Sequence, residues 1–282
     1  MNKIKDIIKK ILPKRFIVFI QNSNRKKKYG GDYISREKKY KGDYAFCYCC
    51  GNGVKKFLRY YPVKIAANRS KKIEKNVWCP ICFSLARQRA ECYLLLNNTK
   101  QYTYEKGDNI ILFAPEKSIK FFLERQKIDF KTSDLFRDDC DFKLDLCDID
   151  LPDNSQKLIF CNHILEHVPD DKKAMSELSR ILHADGIAFI TVPIDFDLEM
   201  TKEMPPEYWE TMTCEEIKKE RERLFGQFDH LRLYGGNFIE ILRNYFDVET
   251  FDGSEIDPIS MPAFGPSAHD ANVIFICKKK NL

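Results

Sequence analysis

The chain has 282 residues, 44% hydrophobic and 13% aromatic, which is enough apolar material for a filled core and too much for a disordered chain. Its net charge of +5 conceals two unlike parts: residues 1–104 carry 25 Lys/Arg against 6 Asp/Glu, and residues 105–282 carry 22 against 36. The basic part can meet phosphate or an anionic membrane surface, whereas the acidic part is excluded as a nucleic-acid grip by itself.

The chain begins with "NKIKDIIKKILPKRF", where Ile4, Ile7, Ile8, Ile11 and Leu12 recur at helical spacing among lysines until Pro13 stops the helix. A basic amphipathic helix of this kind lies on a membrane surface, docks on its own chain or hangs as a tail. "RFIVFI" is too short for a secretory core, and no run approaches the roughly 18 apolar residues of a membrane span. With eleven cysteines and no signal peptide, a reducing cytoplasm is expected, with the helix allowing a peripheral position at the inner membrane surface. Grouped cysteines are then read as metal ligands before disulfides. "NSNRKKKYGGDY" reads as a solvated linker, so residues 1–44 are expected to be the basic helix and linker.

Next come "CYCCG" and "CPIC", which set Cys47-x2-Cys50 and Cys79-x2-Cys82 with 28 residues between them. A C-x2-C turn aims two thiolates at one point, and two such turns complete a tetrahedral four-sulfur site for a structural zinc. Gly51 allows the tight backbone of a zinc knuckle, and Cys49 is a spare thiol. "KKFLRYYPVKI" and "KNVW" have strand-like composition, as in a zinc ribbon. "SLARQRAECYLLLNN" reads as a helix capped by Ser84, with Arg87 and Arg89 available for an anion or for interdomain pairing. Residues 45–100 are therefore expected to form a zinc-ribbon-like module plus a helix.

From residue 109 onward strands and helices alternate, and residues 101–282 are expected to form one domain. "NIILFA", "DFKTSDL", "FKLDLC", "KLIFCN", "GIAFITVPI", "DVETFDG" and "NVIFICKKK" read as strands; "KSIKFFLERQ" and "DDKKAMSELSRIL" read as helices. This predicts an α/β fold: a Rossmann-like, mostly parallel seven-stranded sheet with helices on both faces. Residues 195–235, with the helical "CEEIKKERERLFG", form an insert before the last strands. Ligands of such sheets bind beyond the carboxyl ends of the strands. There Asp134 follows Ala114 by 20 residues, Asp145 ends the third strand and Asn162 the fourth.

The stretch from Leu144 to Ile194 resembles class I S-adenosylmethionine-dependent methyltransferases, the type 11 group in particular. Its acid, "LPDNSQKLIF" turn and strand, "NHILEHV" and "LHADG" match that group's usual text. The resemblance implies S-adenosylmethionine as cofactor. It places Asp134 on the ribose, Asp145 on the adenine amino group with the Leu146 backbone beside the ring, and Asn162 near the methionine end. The family's glycine-rich first loop is here "FAPEKS", so Ala114, Pro115 and Glu116 stand against the cofactor, with Glu116 facing its ammonium or crowding it. "FGQFDHLRLYG" also resembles an element of related bacterial sequences that carry a cysteine-rich segment and an "APE" loop.

Methyl transfer is an in-line displacement in which the protein aligns nucleophile and methyl. An oxygen or nitrogen acceptor also gives up a proton, for which His163 and His230 are candidates, with Asp229 assisting. Arg232 and Tyr234 are expected to bind an anionic or sugar-like acceptor. The run "IFCNHILEHVPDD" reads as the rim of the site, His167 tying its loop, with no third ligand in view to make its histidines a metal centre. The acceptor stays unnamed: RNA, a phosphorylated glycan or lipid intermediate, or a protein. A non-catalytic binding protein on the same fold is the alternative.

Overall fold

The computed structural model describes residues 32–60, 74–97, 107–205, 207–262 and 273–280. The amphipathic helix expected near the N-terminus and most of the linker after it lie outside these residues.

The described chain opens with helix α1 (Tyr33–Tyr40), where the Asp32 side chain caps Ser35 N at 2.8 Å. The end of the expected linker is thus helical. Two antiparallel pairs follow, β1 (Lys41–Cys47) with β2 (Asn52–Val54), and β3 (Leu58–Tyr60) with β4 (Glu74–Trp78). They bring the two C-x2-C turns together. Helix α2 (Ala86–Asn97) then leads to the main sheet.

That sheet contains β5 (Ile110–Phe113), β6 (Lys131–Ser133), β7 (Gln156–Asn162), β8 (Leu182–Thr191), β11 (Phe246–Asp252) and β12 (Val273–Lys279), in the order β11-β12-β8-β7-β5-β6. β6, β5, β7 and β8 are parallel, and β12 runs antiparallel to β8 and β11. Among the described residues this sheet has six strands instead of the expected seven. "FKLDLC" makes only a single bridge to the sheet, Ser133 to Phe142, and a turn bridge of its own, Asp145 to Asp148. The Asp141 side chain takes the Thr132 amide at 2.8 Å, and the Asp145 side chain takes Cys147 N at 2.8 Å. Aspartates that bind nearby amides in this way offer the backbone turns in place of a ladder.

β5, "IILF", is buried at all four positions, as a central parallel strand with both faces covered must be. One face of the sheet presents Leu112, Phe160 and Phe189 to Leu94 and Leu95 of α2 and Phe122 of α3 (Lys117–Gln126). The other presents Phe113, Ile159 and Ile190 to Met175 and Leu178 of α4 (Asp171–Ile181) and Phe238 of α7 (Phe238–Arg243). The sheet is therefore covered on both faces, and α2 of the cysteine module is part of that cover. A boundary at residue 100 falls just behind a helix that shares the sheet's core.

The insert holds β9 (Lys202–Glu203), α5 (Glu207–Thr211), α6 (Cys214–Phe225) and β10 (Arg232–Leu233). α6 is the expected helix, started by a capping box between Thr213 and Glu216 and ended by Gly226 at φ 84°. The chain leaves β5 for β6 on one side and returns to β7 on the other. The topological switch therefore lies between the carboxyl ends of β5 and β7, where the loops beginning at Ala114 and His163 meet.

Candidate functional site

The four expected thiols converge. Cys47 Sγ lies 3.6 Å from Cys82 Sγ, and Cys50 Sγ lies 4.0 Å from Cys79 Sγ. Sulfurs about 2.3 Å from a tetrahedral zinc stand about 3.8 Å apart, so the cluster has the size that the ion requires. The residue after each pair, Gly51 and Phe83, has φ 66°, which gives both knuckles the same left-handed turn. Ser84 does not cap α2 as expected. Its hydroxyl sits 3.3 Å from both Cys47 Sγ and Cys82 Sγ, while Gln88 takes the Leu85 amide at 2.8 Å. Cys49 instead meets Cys92 on α2, at 3.2 Å.

Arg89 is fully buried and donates to the carbonyls of Ser260, Ser84 and Val77, so it serves the packing of the module. Arg87 makes the interdomain pair. Its guanidinium meets Glu116 in the first loop through two hydrogen bonds, at 2.6 and 2.9 Å. Gln88 and Asn162 add bonds to the same carboxylate at 2.6 and 3.3 Å. Burial raises the Glu116 pKa, but the Arg87 charge and hydrogen bonds outweigh it and hold the group below the ordinary glutamate value. Glu116 thus already has a partner within the chain. A cofactor ammonium would have to share it.

Ala114 has φ 44°, so the loop keeps the left-handed backbone that glycine usually supplies. Its neighbour Pro115 is buried and accepts at its carbonyl from Arg137 Nη1 at 3.3 Å. Asp134, half-buried at the end of β6, uses Oδ1 to hold the amides of Phe136 and Arg137. Asp145 is exposed beside the buried Leu146. Asn162, at the end of β7, is fixed by Thr191 Oγ1 at 2.9 Å and by Glu116.

Sequence reasoning missed Glu91. It is fully buried on α2 beside Glu116 and Asn162, and neither carboxylate oxygen has a hydrogen-bond partner. Burial, followed by the Glu116 charge, pushes its pKa well above the ordinary value. The residue sits within an ordinary-looking helix, and no local signal turns it toward the strand ends.

The rim segment holds more than a loop. His163 follows Asn162 with φ 54°, and its Nδ1 lies 3.4 Å from Glu166 Oε1. His167 stands edge-on to His230, ring centres 4.7 Å apart. Its Nδ1 is 3.2 Å from the Asp229 carbonyl and 3.8 Å from the Asp229 carboxylate, so it ties the loop as expected. Burial lowers the His230 pKa. For Glu166 burial acts upward, but His163 and the other two imidazoles outweigh it and keep the carboxyl ionised.

Two expected acceptor contacts need correction. Arg232 is 4% exposed and donates to the carbonyls of Leu165, Val168 and Pro169 and to Glu203. Tyr234 is fully buried and donates to Asp171 at 2.8 Å. Both stitch the insert to the rim loop and have no exposed surface for an acceptor.

Residues 122–190, from within α3 almost to the end of β8, match the family model described as a methyltransferase domain. The match includes Asp134, Asp145, Asn162, His163 and Glu166; the cysteine module and the insert with His230 lie outside it. Among solved structures, a Haloferax volcanii complex of the Trm112 methyltransferase activator and a putative methyltransferase aligns at 12% identity and TM-score 0.41, covering 67% of this chain and 90% of that one. The PH0226 protein of Pyrococcus horikoshii aligns at 18% identity and TM-score 0.41, covering 69% and 91%. Haemonchus contortus phosphoethanolamine N-methyltransferase 2, in complex with S-adenosyl-L-methionine, aligns at 14% and TM-score 0.39, covering 66% of this chain and about half (52%) of that one. No curated protein matches the sequence significantly.

Proposed function

We propose that the chain is an S-adenosylmethionine-dependent methyltransferase that methylates an oxygen or nitrogen of its acceptor, with a structural zinc held by Cys47, Cys50, Cys79 and Cys82. The observation that carries this reading is the row of polar groups at the β5/β7 switch, Glu91, Glu116, Asn162 and His163, with Asp134 and Asp145 on the neighbouring strand ends, beside the match of residues 122–190 to a methyltransferase-domain model. The residues fit the cofactor. Asp134 keeps Oδ2 available for ribose hydroxyls, the Leu146 backbone and Asp145 offer an adenine edge, and the orphaned Glu91 carboxyl is a buried acceptor for the methionine ammonium beside Glu116. When bound, S-adenosylmethionine supplies a methyl group on a sulfonium, which leaves its bonding electron pair on sulfur.

The chain's own groups then align the acceptor and exclude water. His163, next to Asn162 and with Nε2 lacking any partner, is the imidazole best placed to take a proton from an acceptor hydroxyl or amine. The basic residues 1–104 suit an acceptor or surface that carries negative charge, such as RNA, a phosphorylated glycan or an anionic membrane.

Calorimetric titration with S-adenosylmethionine and its demethylated product tests the reading. Saturable binding, weakened by Asp134→Ala, supports it. A second reading, a non-catalytic binding protein, is favoured by one observation: Arg87, Gln88 and Asn162 already saturate Glu116 in the first loop. Absence of binding by the folded protein would select that reading.

A further inference from the structure

Glu166 and His167 sit on the turn after β7, and His230 comes from the far end of the insert. One ligand atom from each lies within 4.8 Å of the other two. Glu166 is 1% and His230 3% exposed, yet Glu166 Oε2 and His230 Nδ1 have no hydrogen-bond partner, and nearby His163 Nε2 has none either. An unpartnered buried polar atom costs on the order of 1–3 kcal/mol. Three in one cluster mark a place built to be completed by something else.

The chemistry of the donors identifies what completes it. Two imidazoles and one carboxylate suit a divalent transition metal, whereas magnesium and calcium take oxygen ligands. The supporting contacts are those of metal-binding imidazoles. His167 Nδ1 donates to the Asp229 carbonyl at 3.2 Å, which assigns its proton to that nitrogen and leaves Nε2 as a lone pair, 3.9 Å from Glu166 Oε1. The backbone around the ligands is fixed from both sides. Leu231 N donates to the Glu166 carbonyl at 2.8 Å, and Arg232 holds the carbonyls of Leu165 and Val168 at 2.8 and 2.6 Å. Ligands of a bound metal stand about 3.0–3.4 Å apart at metal–ligand distances near 2.1 Å, so occupancy would draw these three side chains inward from their spacing of up to 4.8 Å.

We propose that Glu166, His167 and His230 form a second metal site, separate from the four-cysteine cluster, that binds one divalent transition metal and leaves coordination positions open beside His163. Three protein ligands with open positions distinguish it from a closed structural site.

Mn²⁺ and Co²⁺ are the probes, added to full-length protein in which the thiolate-bound zinc is retained and loosely held metal has been removed by a weak chelator. Mn²⁺ favours oxygen and nitrogen donors over thiolates, so its binding reports this site and not the cysteines. The expected result is one saturable site per chain for each ion. For Co²⁺ the visible bands should be weak, without the intense charge-transfer absorption of a thiolate complex. His230→Ala and Glu166→Gln should each weaken binding by more than about a hundredfold, beyond what loss of a supporting residue costs. His167 is partly exposed, so His167→Asn is the variant expected to stay folded if the buried positions do not tolerate change, and it should lose binding equally. No saturable binding of either ion by the folded wild type overturns the proposal. So does binding that all folded ligand variants retain, or thiolate charge-transfer bands with Co²⁺.

Discussion

Replacing Glu116 by Gln removes one charge from the junction between the cysteine module and the sheet while keeping the side chain's shape. In the native protein this carboxylate receives four hydrogen bonds, two from Arg87 and one each from Gln88 and Asn162. The Arg87 and Glu116 side chains are 10% and 20% exposed, so solvent screens the pair little. Removing one partner of a buried pair costs about 3–5 kcal/mol because it strands the other charge. The residual exposure of Glu116 puts the expected loss near the lower end, about 3 kcal/mol. Urea unfolding followed by circular dichroism measures it. Arg87→Met combined with Glu116→Gln should recover part of the loss, with a coupling of about 2 kcal/mol in a double-mutant cycle. A loss under about 1 kcal/mol, with the two substitutions additive, would refute the claim that this pair fastens α2 to the first loop.

Purified protein should contain about one zinc in the four-cysteine cluster, and Cys79→Ser should release it and destabilise residues 45–97, as metal analysis and limited proteolysis would show. Asp134→Ala should weaken S-adenosylmethionine binding by about 1–3 kcal/mol in calorimetry, because ribose donors lose a charged acceptor; unchanged affinity would remove Asp134 from the site. Glu91 gives a pH dependence. Its folded pKa is raised above the unfolded value of about 4.5, so its contribution to stability is complete below that value and is lost as pH rises through the folded one. Glu91→Gln should therefore melt progressively higher than the wild type as pH increases above 5, and a pH-independent difference between the two would contradict the assignment.

The parts of the fold that were legible in the sequence are those whose signal is local. β5, α3, β7 and α4 fall within a residue or two of their apolar runs because four or more consecutive positions carry the same period. The third strand was not legible, since Asp141 and Asp145 divert the backbone with side-chain bonds that no periodicity reveals. The spacing of the four cysteines was legible because each pair is its own turn. Arg232 and Tyr234 misled for the opposite reason: a polar cluster near a rim looks the same in sequence whether it faces solvent or is buried against Asp171. Glu91 and the meeting of His230 with His167 were hidden by distance. The first reaches the strand ends only because α2 packs on the main sheet, and the second comes about only through a ring contact between the insert and the rim turn.

Backbone strain follows the same map. Of the five non-glycine residues at positive φ among the described residues, Lys127 ends α3 and Asn154 lies in the turn before β7, which are ordinary places for such a conformation. The other three sit at the candidate sites: Phe83 after the second cysteine pair, Ala114 in the first loop and His163 after β7. Each costs about 1–2 kcal/mol that a glycine would avoid. A chain selected only for stability would have little reason to hold a histidine there. His163 also joins the two sites. It stands between Asn162, which bonds Glu116 at the expected methionine end, and Glu166, 3.4 Å from its Nδ1, at the imidazole cluster. The orphaned atoms of Glu91, His163, Glu166 and His230 therefore lie along one path across the β5/β7 switch. The proposed methyl-transfer site and the proposed metal site are neighbours on that path, with His163 the residue between them.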